Sequence, residues 1–195
     1  LFAVNTAHAF LGSGIYKTAL VIGADTLSKI VDWSDRSTCV LFGDGAGAVV
    51  LGEDSSGKSI FRLHSDSGSA QALTLGKENA VHMNGREIFS FAVRKVPESV
   101  KEVLEESETA KEQVKYFILH QANARMIESI AKRLDVPVEK FPMNLETHGN
   151  TSAASIPVLL DELNRQNRLI PGDVLILSGF GGGLSWGSAL LEWHK

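Results

Sequence analysis

Short polar side chains are concentrated in the segment HGNTSAAS, residues 148–155. Imidazole, amide and hydroxyl groups are interspersed there with glycine and alanine, so hydrogen-bonding groups stand beside side chains too small to block a ligand. The pattern indicates a place where short polar groups are held close together. Asn150 can also act as a turn residue in the left-handed conformation, and both roles remain open on this pattern alone.

Two further segments carry candidate groups. His120 ends the apolar run VKYFILH and is followed by QAN, and a glycine turn, GFGGG, follows the apolar run DVLIL. In open α/β sheets ligands gather at the carboxyl ends of strands. His120, Asn150 and the turn at residues 181–183 each follow a predicted strand, so we expect them to meet at one site. A histidine packed in the core explains His120 more simply when it is considered alone.

The elements that would position these groups alternate between strands and helices. A helical pattern opens the chain and stops near Gly12, and TALVIGAD, IFRLHSD, VKYFILH and DVLILSG have strand character. This alternation predicts an α/β sandwich with mainly parallel strand pairing. The polar segment EDSSGKS is the predicted boundary between two units, residues 1–56 and 57–195.

Four local features carry specific expectations. A helix is predicted from Ile88 to Thr109, with a kink or break at Pro97. A short strand is predicted over residues 141–145. Ser155 is a plausible N-cap of the helix whose first turn holds Pro157. Cys39 is interpreted as a small buried residue in a strand.

Composition narrows the class of protein. The net charge of −4 over 195 residues argues against nucleic acid as a general partner. No apolar run is long enough to cross a bilayer and no leader pattern is seen, so we expect a cytoplasmic protein. One cysteine excludes an internal disulfide framework and a cysteine-rich metal site. Four histidines lack ligand spacing, so no metal site is predicted: His8, His64, His82 and His194.

Two motif matches are rejected. GLSWG fits the G-x-S-x-G elbow of hydrolases, but a glycine turn precedes it and only His194 follows, so the acid partner of a triad is missing. GDGAGA and GFGGGL look like phosphate-binding loops, yet neither fits G-x-G-x-x-G or the P-loop. Tight entry into a sheet explains both glycine runs better.

Taken together, LHQANARM, HGNTSAASIP and GFGGGLSWGSALL resemble the β-ketoacyl-acyl carrier protein synthase III family. These are the condensing enzymes that start bacterial fatty-acid chains. The stretch VIGADTLSKIVDWSDRSTCVLFGDGAGAVVL resembles the middle of the same family. The resemblance implies a thiolase-like layered α-β-α-β-α sandwich, with an incomplete first half plus a complete second half.

The resemblance also implies a catalytic set of cysteine, histidine and asparagine, of which His120 and Asn150 match the last two. The sister elongating synthases carry two histidines, so Asn150 points to the initiating class. The implied reaction is decarboxylative condensation of an acyl-CoA primer with malonyl-acyl carrier protein. His120 and Asn150 would stabilise the malonyl enolate. Gly182 would supply a backbone N–H to the acyl thioester oxygen, and Phe180 would shape the decarboxylation pocket.

The family's nucleophilic cysteine lies in an A-C-x-G-F motif just before the residues that match Leu1 onward. The chain as given is therefore expected to be inactive in condensation, and Cys39 is a poor substitute.

The resemblance assigns further residues to the binding of the two substrates. Arg36 would stack on the adenine of coenzyme A. Arg125, Lys132 and Arg133 would form a basic face that docks the acidic carrier protein. No metal or organic cofactor is implied, and the family forms homodimers.

Two alternatives remain open. The chain could belong to another branch of the superfamily, such as a hydroxymethylglutaryl-CoA synthase or a secondary-metabolite acyltransferase. It could also be a catalytically silent fragment that binds coenzyme A or carrier protein.

Overall fold

Helices and strands alternate along most of the chain. The computed structural model describes residues 1–52, 57–77 and 79–194. The predicted domain boundary at residue 56 therefore lies outside the described residues. The helices are α1 (Phe2–Gly12), α2 (Gly85–Glu106), α3 (Ala124–Leu134), α4 (Leu145–His148) and α5 (Ser155–Arg165). The strands are β1 (Thr18–Asp25), β2 (Gly45–Gly52), β3 (Ser59–Ser65), β4 (Leu73–Leu75), β5 (Val81–Met83), β6 (Tyr116–Leu119), β7 (Val174–Gly181) and β8 (Ser185–Glu192).

A four-stranded sheet in the order β3-β8-β7-β6 forms the centre of the second half. Side chains alternate between its faces, as the two-residue period of a strand requires. In β6, for example, Phe117 and Leu119 pack with α2 and α3, whereas Ile118 packs with α5 on the other face. Both faces are covered, which explains why β6, β7 and β8 read as apolar runs rather than alternating patterns.

The two-stranded sheet β1-β2 lies on the far side of α5. Gly23 of β1 faces Ala153 closely, and a Cβ at Gly47 of β2 would lie 3.0 Å from Pro157. α1 shares the layer of α5, because His8 packs on Phe61 with ring centroids 5.0 Å apart. The described residues thus form four layers in the order α-β-α-β, which fits an incomplete thiolase-like sandwich.

The predicted parallel pairing is wrong in most of the structure. Among the strands of the described residues, β6 and β7 form a parallel pair, whereas β1-β2, β3-β8, β4-β5 and β7-β8 are antiparallel. The reason is the length of the connections. Only three residues join β7 to β8, whereas a parallel crossover needs about a dozen.

Three other local expectations are corrected. The predicted strand over residues 141–145 is absent; Phe141 is buried because it stacks on Phe117, with centroids 5.0 Å apart. Ser155 is the first residue of α5, and the cap residue is Ala154, without a side-chain capping bond. Cys39 is partly buried and lies in a turn that begins at Asp35, not in a strand.

α2 runs through Pro97 without the predicted break. Proline has no N–H, so the carbonyl of Val93, four residues earlier, loses its usual helical partner. Arg133 of α3 supplies the missing donor, since its Nη1 lies 3.2 Å from the Val93 oxygen. A neighbouring helix therefore repairs the defect in the backbone hydrogen bonds.

Candidate active site

The candidate residues line one cavity of about 1260 Å³. It lies between the four-stranded sheet, α1, α5 and the β1-β2 sheet, so both halves of the chain contribute to its wall. His120, Asn150, Phe180 and Gly182 all line it. The predicted meeting of three separate segments is thus observed.

His120 stands at the carboxyl end of β6. Its backbone N–H donates to Ser178 of β7 at 2.8 Å, which extends the parallel pairing one residue beyond the strand. Its side chain packs edge-on against Phe180, with ring centroids 5.4 Å apart, and Nδ1 lies 2.7 Å from the Ser155 hydroxyl oxygen. Sheet pairing fixes the backbone of His120, and these two contacts fix the ring.

The imidazole of His120 is held neutral. Burial lowers its pKa from 6.5 to about 4. Burial acts in this direction because a low-dielectric environment disfavours the charged form. At neutral pH the ring therefore carries one N–H donor and one acceptor, and no net charge.

Asn150 is fixed by backbone bonds to a distant segment. Its N–H donates to Leu41 and its carbonyl accepts from Gly43, each at 2.9 Å, which makes a short parallel bridge around Phe42. Its side-chain Oδ1 accepts the N–H of Ser152 at 2.9 Å. Because that partner is a donor, the atom facing it is the amide oxygen. Nδ2 makes no hydrogen bond within the described residues, so its two N–H groups remain for a ligand.

Glycines allow the loop around Asn150 to approach its neighbours. Gly149 has φ +66°, a left-handed conformation that glycine adopts without strain. A Cβ at Gly43 would overlap the carbonyl oxygen of His148. The bridge that holds Asn150 therefore depends on the absence of a side chain at Gly43.

A polar network supports both candidate loops from behind. Gln121 is fully buried, and its Oε1 accepts the N–H of Asn144 at 3.2 Å. The Asn144 amide donates to Glu162 of α5 at 2.9 Å, and the other Glu162 oxygen lies 2.6 Å from His148 Nε2. The loop after β6 is thus joined to the loop before Asn150 through α5.

Gly182 lies in the turn between β7 and β8, on the cavity wall. A Cβ there would meet only the Leu73 carbonyl oxygen, at an ordinary contact distance of 3.6 Å. The fold itself therefore accommodates a small side chain at this position.

Four predicted binding residues lie outside the cavity lining. Arg36 is exposed in the loop after β1, where Asp32 and Asp35 each accept hydrogen bonds from following residues and order the chain. Arg125 and Lys132 are exposed and lie seven residues apart on α3, hence on one face of the helix. Arg133 is exposed but is also bound to Val93.

Sequence analysis missed the residues that support the site. Ser155, Gln121, Glu162 and Gly43 contact the candidate groups or their loops, and each is far from its partner along the chain. A polar residue, Gln121, directly after the apolar run and His120 is the one signal that the sequence offers. Nothing in the local pattern distinguishes Ser155 from a helix cap.

Comparison with known proteins identifies the family. Residues 1–83 match the model described as 3-oxoacyl-[acyl-carrier-protein (ACP)] synthase III, and residues 104–193 match the model of its C-terminal part. The chain belongs to this family. The three segments that carry the candidate residues therefore stand in a 3-oxoacyl-[acyl-carrier-protein] synthase III framework.

Curated and solved synthase III proteins resemble the whole chain. Beta-ketoacyl-[acyl-carrier-protein] synthase III 1 of Bacillus cereus is 47% identical over 195 residues, which is 100% of this chain and 63% of the relative. The synthase III of Porphyra purpurea is 44% identical, over 100% of this chain and 65% of the relative. The crystal structure of the synthase from Aquifex aeolicus VF5 has a TM-score of 0.95 at 43% identity, over 98% of this chain and 63% of that chain. The chain thus spans slightly less than two thirds of these relatives, and its fold is thiolase-like.

Two kinds of feature are absent from residues 1–52, 57–77 and 79–194. None of the helices there combines the length and apolar character needed to span a bilayer. No group of three or more His, Cys, Asp or Glu side chains in this part of the chain is arranged to hold a metal ion.

The lowered pKa of His120 predicts an unusual pH profile. Any reaction that needs the neutral ring should keep its rate as the pH falls through 6.5 and lose it only near about 4. Between pH 6.5 and about 4, His120 binds a proton in the unfolded chain but not in the folded chain. The free energy of unfolding should therefore decrease as the pH falls through this range. An NMR titration of the His120 ring measures the pKa on which both effects depend. A titration midpoint near 6.5 would contradict this value.

Proposed function

We propose that this chain is the decarboxylating part of a β-ketoacyl-acyl carrier protein synthase III, which condenses an acyl-CoA primer with malonyl-acyl carrier protein. The observation that carries the proposal is the pair of neutral groups, His120 and Asn150, that line the same cavity. The amide orientation of Asn150 leaves its Nδ2 as a donor. Both groups match the family's histidine and asparagine residue by residue.

The two donors suit the first chemical step. When the malonyl thioester loses carbon dioxide, the electron pair of the broken carbon–carbon bond moves into an enolate, and negative charge develops on the thioester oxygen. His120 Nε2–H and Asn150 Nδ2–H would stabilise that charge. A neutral imidazole is suitable because it donates a hydrogen bond without giving up a proton.

The second step needs an acyl-enzyme. The enolate carbon attacks the acyl thioester carbonyl, and a cysteine thiolate leaves. By resemblance this cysteine belongs to the A-C-x-G-F motif of the longer enzyme. Gly182 N–H would hold the acyl oxygen, and Phe180, packed on His120, would shape the pocket. Cys39 does not line the cavity and has no role in this step.

Substrate binding is proposed to use the exposed arginines and lysines. Arg36 would stack on the adenine of coenzyme A from its ordered loop. Arg125 and Lys132 would contact the acidic carrier protein, with Arg133 at the margin of the same face. The enzyme is proposed to act as a cytoplasmic homodimer on thioesters alone, without a metal or organic cofactor. Light scattering of the purified enzyme and metal analysis test these last points.

A comparison of malonyl-acyl carrier protein with malonyl-CoA as the extender substrate tests the proposed function. The enzyme that contains this chain should condense acetyl-CoA with malonyl-acyl carrier protein and use malonyl-CoA far less well. Another branch of the superfamily, such as a hydroxymethylglutaryl-CoA synthase, would need no carrier protein. Equal use of the two malonyl donors would favour a decarboxylating acyltransferase branch that needs no carrier protein. Use of neither donor would favour a hydroxymethylglutaryl-CoA synthase, and binding without turnover would favour a silent fragment.

Charge reversal on α3 tests the docking surface. Arg125→Glu combined with Lys132→Glu should raise KM for malonyl-acyl carrier protein roughly 10-fold and leave acetyl-CoA nearly unaffected. The effect should shrink at high salt, because exposed charges are screened. Arg165→Glu is the matched control, since Arg165 is exposed on α5, on the opposite face of the sheet. An equal rise for both substrates would contradict a docking role.

A further inference from the structure

The hydroxyl of Ser155 is the one side-chain hydrogen-bond partner that the described residues offer to His120. Ser155 is 2% exposed and starts α5. Its oxygen lies 2.7 Å from His120 Nδ1 and accepts the backbone N–H of Gln121 at 3.3 Å. The hydroxyl therefore stands between the ring of His120 and the backbone that follows it.

The proton of this hydroxyl needs an acceptor. Buried polar groups in proteins are almost always hydrogen-bonded. Gln121 N–H is a donor and cannot accept the proton, and within the described residues the other group bonded to Ser155 Oγ is His120 Nδ1. If Nδ1 were protonated, both groups around the Ser155 hydroxyl would be donors, and the hydroxyl proton would have no acceptor.

We propose that Ser155 donates its hydroxyl proton to Nδ1 of His120 and thereby holds the ring in the Nε2–H tautomer. Nε2, the other ring nitrogen, then carries the proton and donates the hydrogen bond to the substrate. The second ring nitrogen of a histidine is commonly set in this way by its hydrogen-bond partner. Ser155 is thus a positioning residue, and its effect on catalysis rests on the proposed function, whereas the tautomer itself does not.

The contacts of Ser155 fit this role better than a structural one. A serine at the start of a helix usually caps it by accepting a hydrogen bond from the first turn. Ser155 lies one residue beyond the cap position, and α5 has no side-chain cap. Its hydroxyl contacts the loop after β6 instead, 35 residues away along the chain.

The tautomer can be measured on the enzyme that contains this chain, without substrate. Nitrogen-15 NMR separates protonated from unprotonated ring nitrogens, and a His120→Gln variant identifies the His120 signals. At pH 7 we expect a protonated Nε2 and an unprotonated Nδ1 that is hydrogen-bonded. A proton on Nδ1 would overturn the proposal, whatever the variants do.

Removal of the hydroxyl tests the consequence. Ser155→Ala should mix the two tautomers and lower kcat for malonyl-thioester decarboxylation roughly 10- to 100-fold, as loss of a histidine-orienting partner typically does. KM should change little, and the acid limb of the pH profile should move upward. Ser155→Cys, with a weaker donor of similar size, should lie between the two proteins.

Ser99→Ala is the matched control, because Ser99 is also fully buried and bonded through its hydroxyl, but to Val96 and Ser188. If Ser155→Ala lowered decarboxylation no more than Ser99→Ala, or left the tautomer unchanged, the proposal would be wrong. If the unmodified protein lacked decarboxylation but showed the Nε2–H tautomer, the proposed function would fail and the role of Ser155 in setting the tautomer would stand.

Discussion

Replacing His120 or Asn150 by Ala is expected to lower the rate of malonyl-thioester decarboxylation about 10²- to 10³-fold. Each substitution removes one of two donors aimed at the developing enolate oxygen, and loss of one such donor typically raises the barrier by about 3 to 4 kcal/mol. Carbon dioxide release from labelled malonyl-acyl carrier protein measures the rate. Transfer of the acyl group from acetyl-CoA to the enzyme should be partly retained, because neither His120 nor Asn150 is the nucleophile that takes the acyl group.

Asn150→Asp sharpens the experiment. The carboxylate keeps an oxygen for the N–H of Ser152, which bonds Oδ1 at 2.9 Å, and so preserves the turn. It replaces the Nδ2 donor by a negatively charged acceptor beside the enolate, so the rate should fall at least as far as in Asn150→Ala. His64→Ala is the control, because His64 pairs with Glu102 and stacks on Trp186 outside the cavity. Near-normal decarboxylation in Asn150→Asp would show that the amide is not a donor to the substrate.

Gly43→Ala is expected to disable the site without touching a candidate catalytic side chain. The new Cβ would overlap the carbonyl oxygen of His148, and backbone atoms cannot move aside as a flexible side chain can. The segment around Phe42 must therefore separate from the Asn150 loop and lose the bond from Gly43 N–H to the Asn150 carbonyl. We expect a loss of about 1–3 kcal/mol in the free energy of unfolding. We also expect a fall in decarboxylation of roughly 100-fold, as displacement by about 1 Å can cause.

Gly12→Ala is the control for this substitution, since a Cβ there meets nothing within 4 Å. Urea denaturation gives the stability of both variants, and the decarboxylation assay is run below the unfolding transition. If Gly43→Ala kept both its stability and its rate, the bridge around Phe42 would not be what positions Asn150.

The main site residues could be predicted because their local patterns are strong. The apolar run before His120 is a strand buried on both faces, so the polar residue after it marks a sheet edge. The glycine turn before β8 is equally plain in the sequence. Resemblance to the family then linked these segments to Asn150.

Pairing and support could not be predicted because they depend on contacts between distant segments. The sequence predicts a strand near Phe141 that leads into Asn150, but no strand forms there, and Asn150 instead forms a bridge with Phe42, more than a hundred residues earlier. The local pattern of Ser155, with Pro157 in the first turn, predicts a helix cap. Its bond to His120 exists only once α5 packs against β6.

Arg133 shows the same limit of prediction from sequence, here for an exposed residue on α3. Its spacing on α3 predicts an exposed basic face, and the residue is exposed. Its guanidinium nevertheless bonds the carbonyl that Pro97 leaves without a partner in α2. A structural role at one residue of the predicted docking face therefore follows from a proline that lies on another helix.

The most direct test of the account is a crystal structure of the protein with a malonyl-thioester analogue that cannot lose carbon dioxide. We predict that the thioester oxygen lies about 2.7–3.1 Å from both His120 Nε2 and Asn150 Nδ2, the range expected for donors to a developing oxyanion. The acyl arm should pass Phe180 and Gly182 in the same cavity. A thioester oxygen bound by neither donor, with the analogue elsewhere in the cavity or on another surface, would contradict the assignment of His120 and Asn150 as the enolate-stabilising pair.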